Sequence, residues 1–146
     1  MIRFLNEDDG TGKLHVRAQC DGFSGEGSAW VSTEELKEFA YTLAVFPIPE
    51  ESPPAIRSGF YRKDNRGEIE QEHLSLRVYP IDHTGHLGVQ VRIATEVWPQ
   101  MRTESQHFVQ LEILTSYEPL ARFSSQLKAL VGGTIEEAIL EADLSS

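Results

Sequence analysis

Hydrophobic and polar side chains alternate along three stretches of the chain, and each stretch predicts a half-buried β-strand. In "KLHVRAQC" Leu14, Val16 and Ala18 share one side, opposite His15, Arg17 and Gln19. In "HLGVQVRIATEVW" Leu87, Val89, Val91 and Ile93 do the same against Gly88, Gln90, Arg92 and Ala94, and in "HFVQLEILTSY" Val109, Leu111 and Ile113 repeat the pattern. The shorter runs "IRFL", "GFSGEGSAWV" and "AIRSGFYR", with "EIEQEHLSLRVYPI", complete about seven strands, and "NEDDGTGK", "KDNRG" and "DHTG" supply turn residues between them.

One strand breaks its own pattern. Leu74, Leu76 and Val78 share a face that strict alternation extends to Glu68, Glu70 and Glu72, and three carboxylates cannot be buried together. Either a bulge near Gln71 to His73 reverses the parity, or the first half of the strand projects with both faces wet.

Two segments follow the helical period instead. Ser32 and Glu35 have capping-box spacing, and Val31 and Leu36 occupy the positions of a hydrophobic staple, so a helix starts near Thr33. Leu36, Phe39, Ala40 and Leu43 then form one apolar stripe, ended by "FPIPEESPPA", with four prolines in the eight residues from Pro47 to Pro54. A second helix starts at Ser116 or Tyr117, carries Leu120, Phe123, Leu127 and Leu130, and closes at Gly132 and Gly133. The tail "TIEEAILEADLSS" fits either a third helix or a sheet edge. These elements predict a single α+β domain over residues 1–146, a twisted antiparallel sheet or partial barrel of about seven strands with two helices packed on one face.

Composition adds constraints. At 146 residues and 40% hydrophobic the chain can bury one core without a staple. Its net charge of -10, from 23 acids and 13 bases, disfavours nucleic acid and anionic membrane surfaces and favours a basic protein partner. A single cysteine excludes an internal disulfide, and no apolar run has the length of a signal peptide or membrane span, so a cytoplasmic location is expected.

Candidate chemistry is sparse. Gly22, Gly25 and Gly27 lack the spacing of a phosphate loop, and Glu26 between them would repel a phosphate; they predict a bulge or the close approach of another backbone. Asp82, His83 and His86 share one turn but lack a distant third ligand, so no metal or cofactor is expected. Cys20 has Asp21 beside it, which opposes a thiolate, and Ser24 and Ser28 lie in no nucleophile elbow. No catalytic residue is therefore assigned. Glu68, Glu70 and Glu72, with Trp98 before Pro99, are the candidate protein-binding residues. Trp30, between strand and helix, is expected to seal the core. The alternative is a ligand or substrate pocket between sheet and helices, with His73, Tyr79, Arg92 and His107 as polar lining.

The run "GSAWVSTEELKEFAYTLAVFP", with the later "LTSYEPLARFSSQLKALVGG", resembles small uncharacterised bacterial proteins related to WapI-type toxin immunity proteins. The resemblance is one of architecture: extended segment, tryptophan, helix, sheet, late helix and glycine. It implies an antiparallel sheet with two helices and a role in binding and neutralising a cognate toxin, and it brings no catalytic residues.

Overall fold

A computed structural model describes residues 1–7, 9–65 and 67–142. The fold is α+β with seven antiparallel strands, as the alternation predicts, but the strands divide into two sheets. β1 (Ile2–Asn6), β2 (Thr11–Cys20) and β3 (Phe23–Ser32) form one meander in the order β1-β2-β3. α1 (Thr33–Thr42) and the proline-rich loop then carry the chain away before β4 (Ala55–Tyr61), β5 (Ile69–Pro80), β6 (His86–Ala94) and β7 (Phe108–Ser116) form the second meander, followed by α2 (Tyr117–Val131). A helix between β3 and β4 prevents the hairpin that would have joined the two meanders, and no closed barrel forms among the described residues.

The caps follow the sequence signals. Ser32 Oγ accepts from the Glu35 backbone N–H at 3.0 Å, the N-cap half of the capping box, and its hydroxyl donates to Glu35 Oε1 at 3.2 Å, so the carboxylate meets the Ser32 side chain rather than its backbone N–H. At the end of α2, the Thr134 N–H reaches Ala129 O at 3.0 Å and the Gly133 N–H reaches Leu130 O at 3.2 Å, with Gly133 at φ 78°. That is a Schellman closure, which glycine makes at no steric cost. Residues 134–142, the described part of the tail, form neither a third helix nor a full strand: Ala138 bridges Ile2, by N–H to O contacts of 2.7 and 2.8 Å, and so covers the edge of β1.

The two sheets face each other across the core. By register, Ser58, Leu74, Ile93 and Val109 form one row across the four-stranded sheet, followed by Ile56, Leu76, Val91 and Leu111. From the other side come Ile2, Phe4, Leu14, Val16, Ala18, Ala29 and Val31. β3 touches every strand of the second sheet and lies across the first row: Gly25 over Val109, Gly27 over Ile93, and the Trp30 carbonyl accepting from the Ser58 hydroxyl. This is a transverse sheet crossing, in which backbones come closest where side chains are smallest. The helices pair through Leu36, Phe39, Leu120, Phe123 and Leu127, with Ser124 Oγ donating to Ala40 O at 2.6 Å. They close one side of the core, α1 against β3 and β4, α2 against β1 and β7.

Both ways out of the parity problem in β5 are present, a bulge and a projecting strand half. Pairing with β4 slips between Ser58 and Gly59 and again between Phe60 and Tyr61, which leaves His73 and Glu70 as extra residues on β5. The same half of β5 runs past the end of β6, whose pairing begins at Leu74.

Trp30 corrects an expectation. Alternation turns Ala29 and Val31 inward, so Trp30 stands on the outer face and is 54% exposed rather than sealing the core.

The register of β2 and β3 is continuous from Thr11–Ser32 to Cys20–Phe23, so Gly25 and Gly27 sit in no bulge. A Cβ at Gly27 would overlap Ile93 Cγ2, and one at Gly25 would overlap Val109 Cγ1. Gly27→Ala is expected to lower unfolding free energy by about 1–3 kcal/mol. In an Ile93→Ala background, where the opposing methyl is gone, the same change should cost close to nothing. A urea-denaturation double-mutant cycle measures this, and additive effects would contradict the crossing.

Candidate functional site

The hydrogen-bond phase of β3 follows from its hairpin. Met1 and Arg17 exchange backbone bonds, at 2.9 Å in each direction, so the odd-numbered residues of β2 turn their backbone groups toward β1. Even-numbered β2 residues therefore bond β3, through Ala18 with Gly25 and Val16 with Gly27. The backbone groups of Ser24, Glu26, Ser28 and Trp30 consequently point away from the sheet. Trp30 O is taken by Ser58, but the N–H and C=O groups of Ser24, Glu26 and Ser28 have no partner among the described residues.

These free groups open into a cleft of about 850 Å³. Ser24 to Ser28 form one wall, the β6–β7 connection with Thr95, Glu96, Trp98, Met101, Gln106 and His107 the other, and His73, Ile93 and Val109 the floor. The connection is held at its base, where the Thr95 N–H donates to His107 O at 2.9 Å and the His107 N–H donates to Thr95 Oγ1 at 2.9 Å.

Gln71 fixes the rest of that wall. Its Oε1 accepts from the Val97 N–H at 2.8 Å while its Nε2 donates to Val97 O at 3.2 Å, so one side-chain amide satisfies both backbone groups of an otherwise exposed loop residue. The same Oε1 lies 2.5 Å from His73 Nε2. An oxygen that already accepts from Val97 requires His73 Nε2 to carry the proton. Burial pushes the His73 pKa below its ordinary 6.5, with the Glu96 carboxylate opposing, and the ring packs edge-on against Phe60 at 4.6 Å. His73 is thus a neutral, buried support. Gln71 gives no sequence signal beyond its place at the predicted bulge.

The cleft brings together Trp98, 58% exposed, with His73 and His107. Its charged lining is Glu26 and Glu96, with no lysine or arginine among the described lining residues. Glu26 Oε2 also faces His15 Nε2 at 3.3 Å.

The remaining candidate residues lie elsewhere. Glu68 is 3.4 Å from Arg62 at the β4–β5 turn, with Glu70 on the same rim, whereas Glu72 lies 2.8 Å from Arg57 and 3.9 Å from Arg92. Glu68 and Glu70 therefore stay together at the turn, while Glu72 lies with Arg57 and Arg92 and Trp98 lines the cleft. Tyr79 and Arg92 stand on the outer face of the four-stranded sheet, opposite the row of Leu74 and Ile93. Tyr79 donates to Glu112 Oε2, and burial together with that carboxylate pushes its pKa up to about 12.

In the "DHTG" turn Asp82 is held well below the usual carboxylate range by the Thr84 backbone N–H and then its hydroxyl, and it lies 2.6 Å from His86 Nδ1. Among the described residues no three His, Cys, Asp or Glu side chains converge as a metal requires. Burial and then Asp21 push the Cys20 thiol up, and its Sγ lies 3.9 Å from Glu112 O. No described helix is long and apolar enough to cross a membrane. No protein-family model, curated protein or solved structure matches the chain.

The lowered pKa of His73 sets a pH dependence. Below pH 6.5 the unfolded chain takes up a proton that the folded chain resists, so stability falls as pH drops from 6.5 toward the folded value and levels off below it. Thermal melts between pH 7.5 and 5 should show a steeper loss for the wild-type protein than for His73→Gln, which keeps an N–H for Gln71 and cannot titrate. Equal slopes would contradict a buried neutral His73.

Proposed function

We propose that this protein is a non-catalytic binding domain for a basic protein partner, an immunity-like protein that acts by occupying a cognate toxin, and that the cleft beside β3 is its recognition surface. The observation that carries this reading is the cleft lining: Glu26 and Glu96 with exposed Trp98, and no described lysine or arginine. Carboxylates around an aromatic anchor suit a cationic surface, because opposite charge steers the encounter and a tryptophan supplies buried area. The net charge of -10 acts in the same direction at longer range. Glu68 and Glu72 contribute less, since each already faces an arginine. The resemblance of the Gly27–Pro47 run to WapI-type immunity proteins and the single free cysteine support the same reading, that of a cytoplasmic binding protein.

A second reading, a small-molecule pocket, draws on His73 and His107 meeting in the same cleft. His73 donates its Nε2 proton to Gln71, so of the two histidines only His107 is left to meet a ligand.

Retention of high-pI proteins from a native lysate by the immobilised domain discriminates these readings. Binding at 50 mM salt should weaken at least tenfold at 300 mM and be lost in Glu26→Lys/Glu96→Lys, while Glu68→Lys changes it little. Retention that ignores both salt and the cleft charges would overturn the proposal.

A further inference from the structure

We infer that the cleft takes its partner as an extended basic segment, added as a further strand on the free edge of β3. This rests on the binding reading above and specifies how the site works. An edge strand with open N–H and C=O groups is a template for another chain, and natural proteins usually blunt it with a bulge, a proline or a cover. β1 is covered by Ala138. β3 has none of these devices from Ser24 to Ser28: its register is unbroken, it contains no proline, and its outward backbone groups at Ser24, Glu26 and Ser28 open into a cleft rather than onto a flat surface.

Geometry determines what such a strand would meet. Directly paired residues of an antiparallel ladder share a face. Incoming residues opposite Ser24, Glu26 and Ser28 would stand on the outer face, where a lysine or arginine meets the Glu26 carboxylate. Those opposite Gly25 and Gly27 would turn toward the cleft floor of Ile93, Val109 and His73, on whose first two side chains the glycines themselves pack directly. Trp98 and Met101 on the far wall would cover the strand's other edge.

Charge selects the occupant. A second copy of this chain carries the same net charge of -10 and would bring carboxylates to carboxylates. A basic segment of another protein complements Glu26 and Glu96, which both line the cleft between β3 and the β6–β7 connection.

The test uses the full chain and a blocked seven-residue peptide of alternating valine and lysine. Three controls accompany it: a glutamate-for-lysine version, arginine amide, and the same peptide N-methylated at alternate amides in each of the two phases. Isotope-edited amide exchange should show at least tenfold slowing at Ser24, Glu26 and Ser28 on adding the lysine peptide. One N-methylated phase should bind at least tenfold more weakly than the other, and the glutamate peptide should not bind. Ser28→Pro removes one outward N–H without touching the ladder to β2, and should weaken binding about tenfold. The methylated peptides supply the same test without any protein variant.

If the lysine peptide binds and Glu26→Lys/Glu96→Lys abolishes that binding, but both methylated phases bind equally and the three amides stay unprotected, strand addition is overturned while basic-partner binding stands. If the peptide fails to bind at millimolar concentration, or arginine amide competes as well as the peptide does, strand addition is overturned. If the three amides become protected with rising protein concentration alone, the occupant is a second copy and the proposal is overturned.

Discussion

The close passage of β3 across the four-stranded sheet is the constraint from which the rest of the structure follows. A strand backbone can pack this tightly on the side chains of another sheet only where it carries none of its own, and β3 places Gly25 over the Val109 side chain and Gly27 over that of Ile93. The price is conformational freedom in the unfolded chain, since glycine loses more on folding than any other residue. The return is a three-stranded sheet seated across the second sheet, with Ala29 and Val31 continuing the contact inward. The crossing also decides where the strand's outer edge goes. Because the β6–β7 connection rises beyond the ends of those strands, the edge faces a walled cleft instead of open solvent.

Electrostatics in this molecule are local before they are global. The net charge of -10 says little about any one surface, because many arginines have a carboxylate at hand. Glu72 serves both Arg57 and Arg92, and Arg62 lies against Asp64 and Glu68. Such exposed pairs add little stability. What they do is quench charge over the outer sheet face and the β4–β5 turn. The cleft differs in that no described lining residue is a lysine or arginine: Glu96 acts on His73, and Glu26 faces His15 with Arg17 as its cross-strand neighbour.

Much of the fold was legible in the sequence because its signals are local. Alternation in β2, β6 and β7, the capping box at Ser32 and the glycine closure after α2 each depend on residues within a few positions of one another. The carboxylates at Glu68, Glu70 and Glu72 called for either a bulge or a projecting strand half, and the structure has both. The division into two sheets was not legible, since a meander reads the same whether a helix folds its halves face to face or leaves them side by side. The site was harder still. Trp98 and the pair His73 and His107 were identifiable by type, but Gln71 matters through Val97, 26 residues away, and periodicity does not report such contacts. Trp30 was misread for a related reason: its place before the helix suggested burial, while strand parity turned it outward. Gly25 and Gly27 left a bulge and a close approach equally open until the opposing Ile93 and Val109 were in place.

The most direct measurement of this account is native-state amide exchange along β3 in the free protein. The amides of Gly25, Gly27 and Ala29 bond β2 and should exchange slowly. Those of Ser24, Glu26 and Ser28 face the cleft and should exchange orders of magnitude faster, giving an alternation with period two. Uniform protection across the strand would mean that its outer edge is already paired, and would contradict both the crossing geometry and the site built on it.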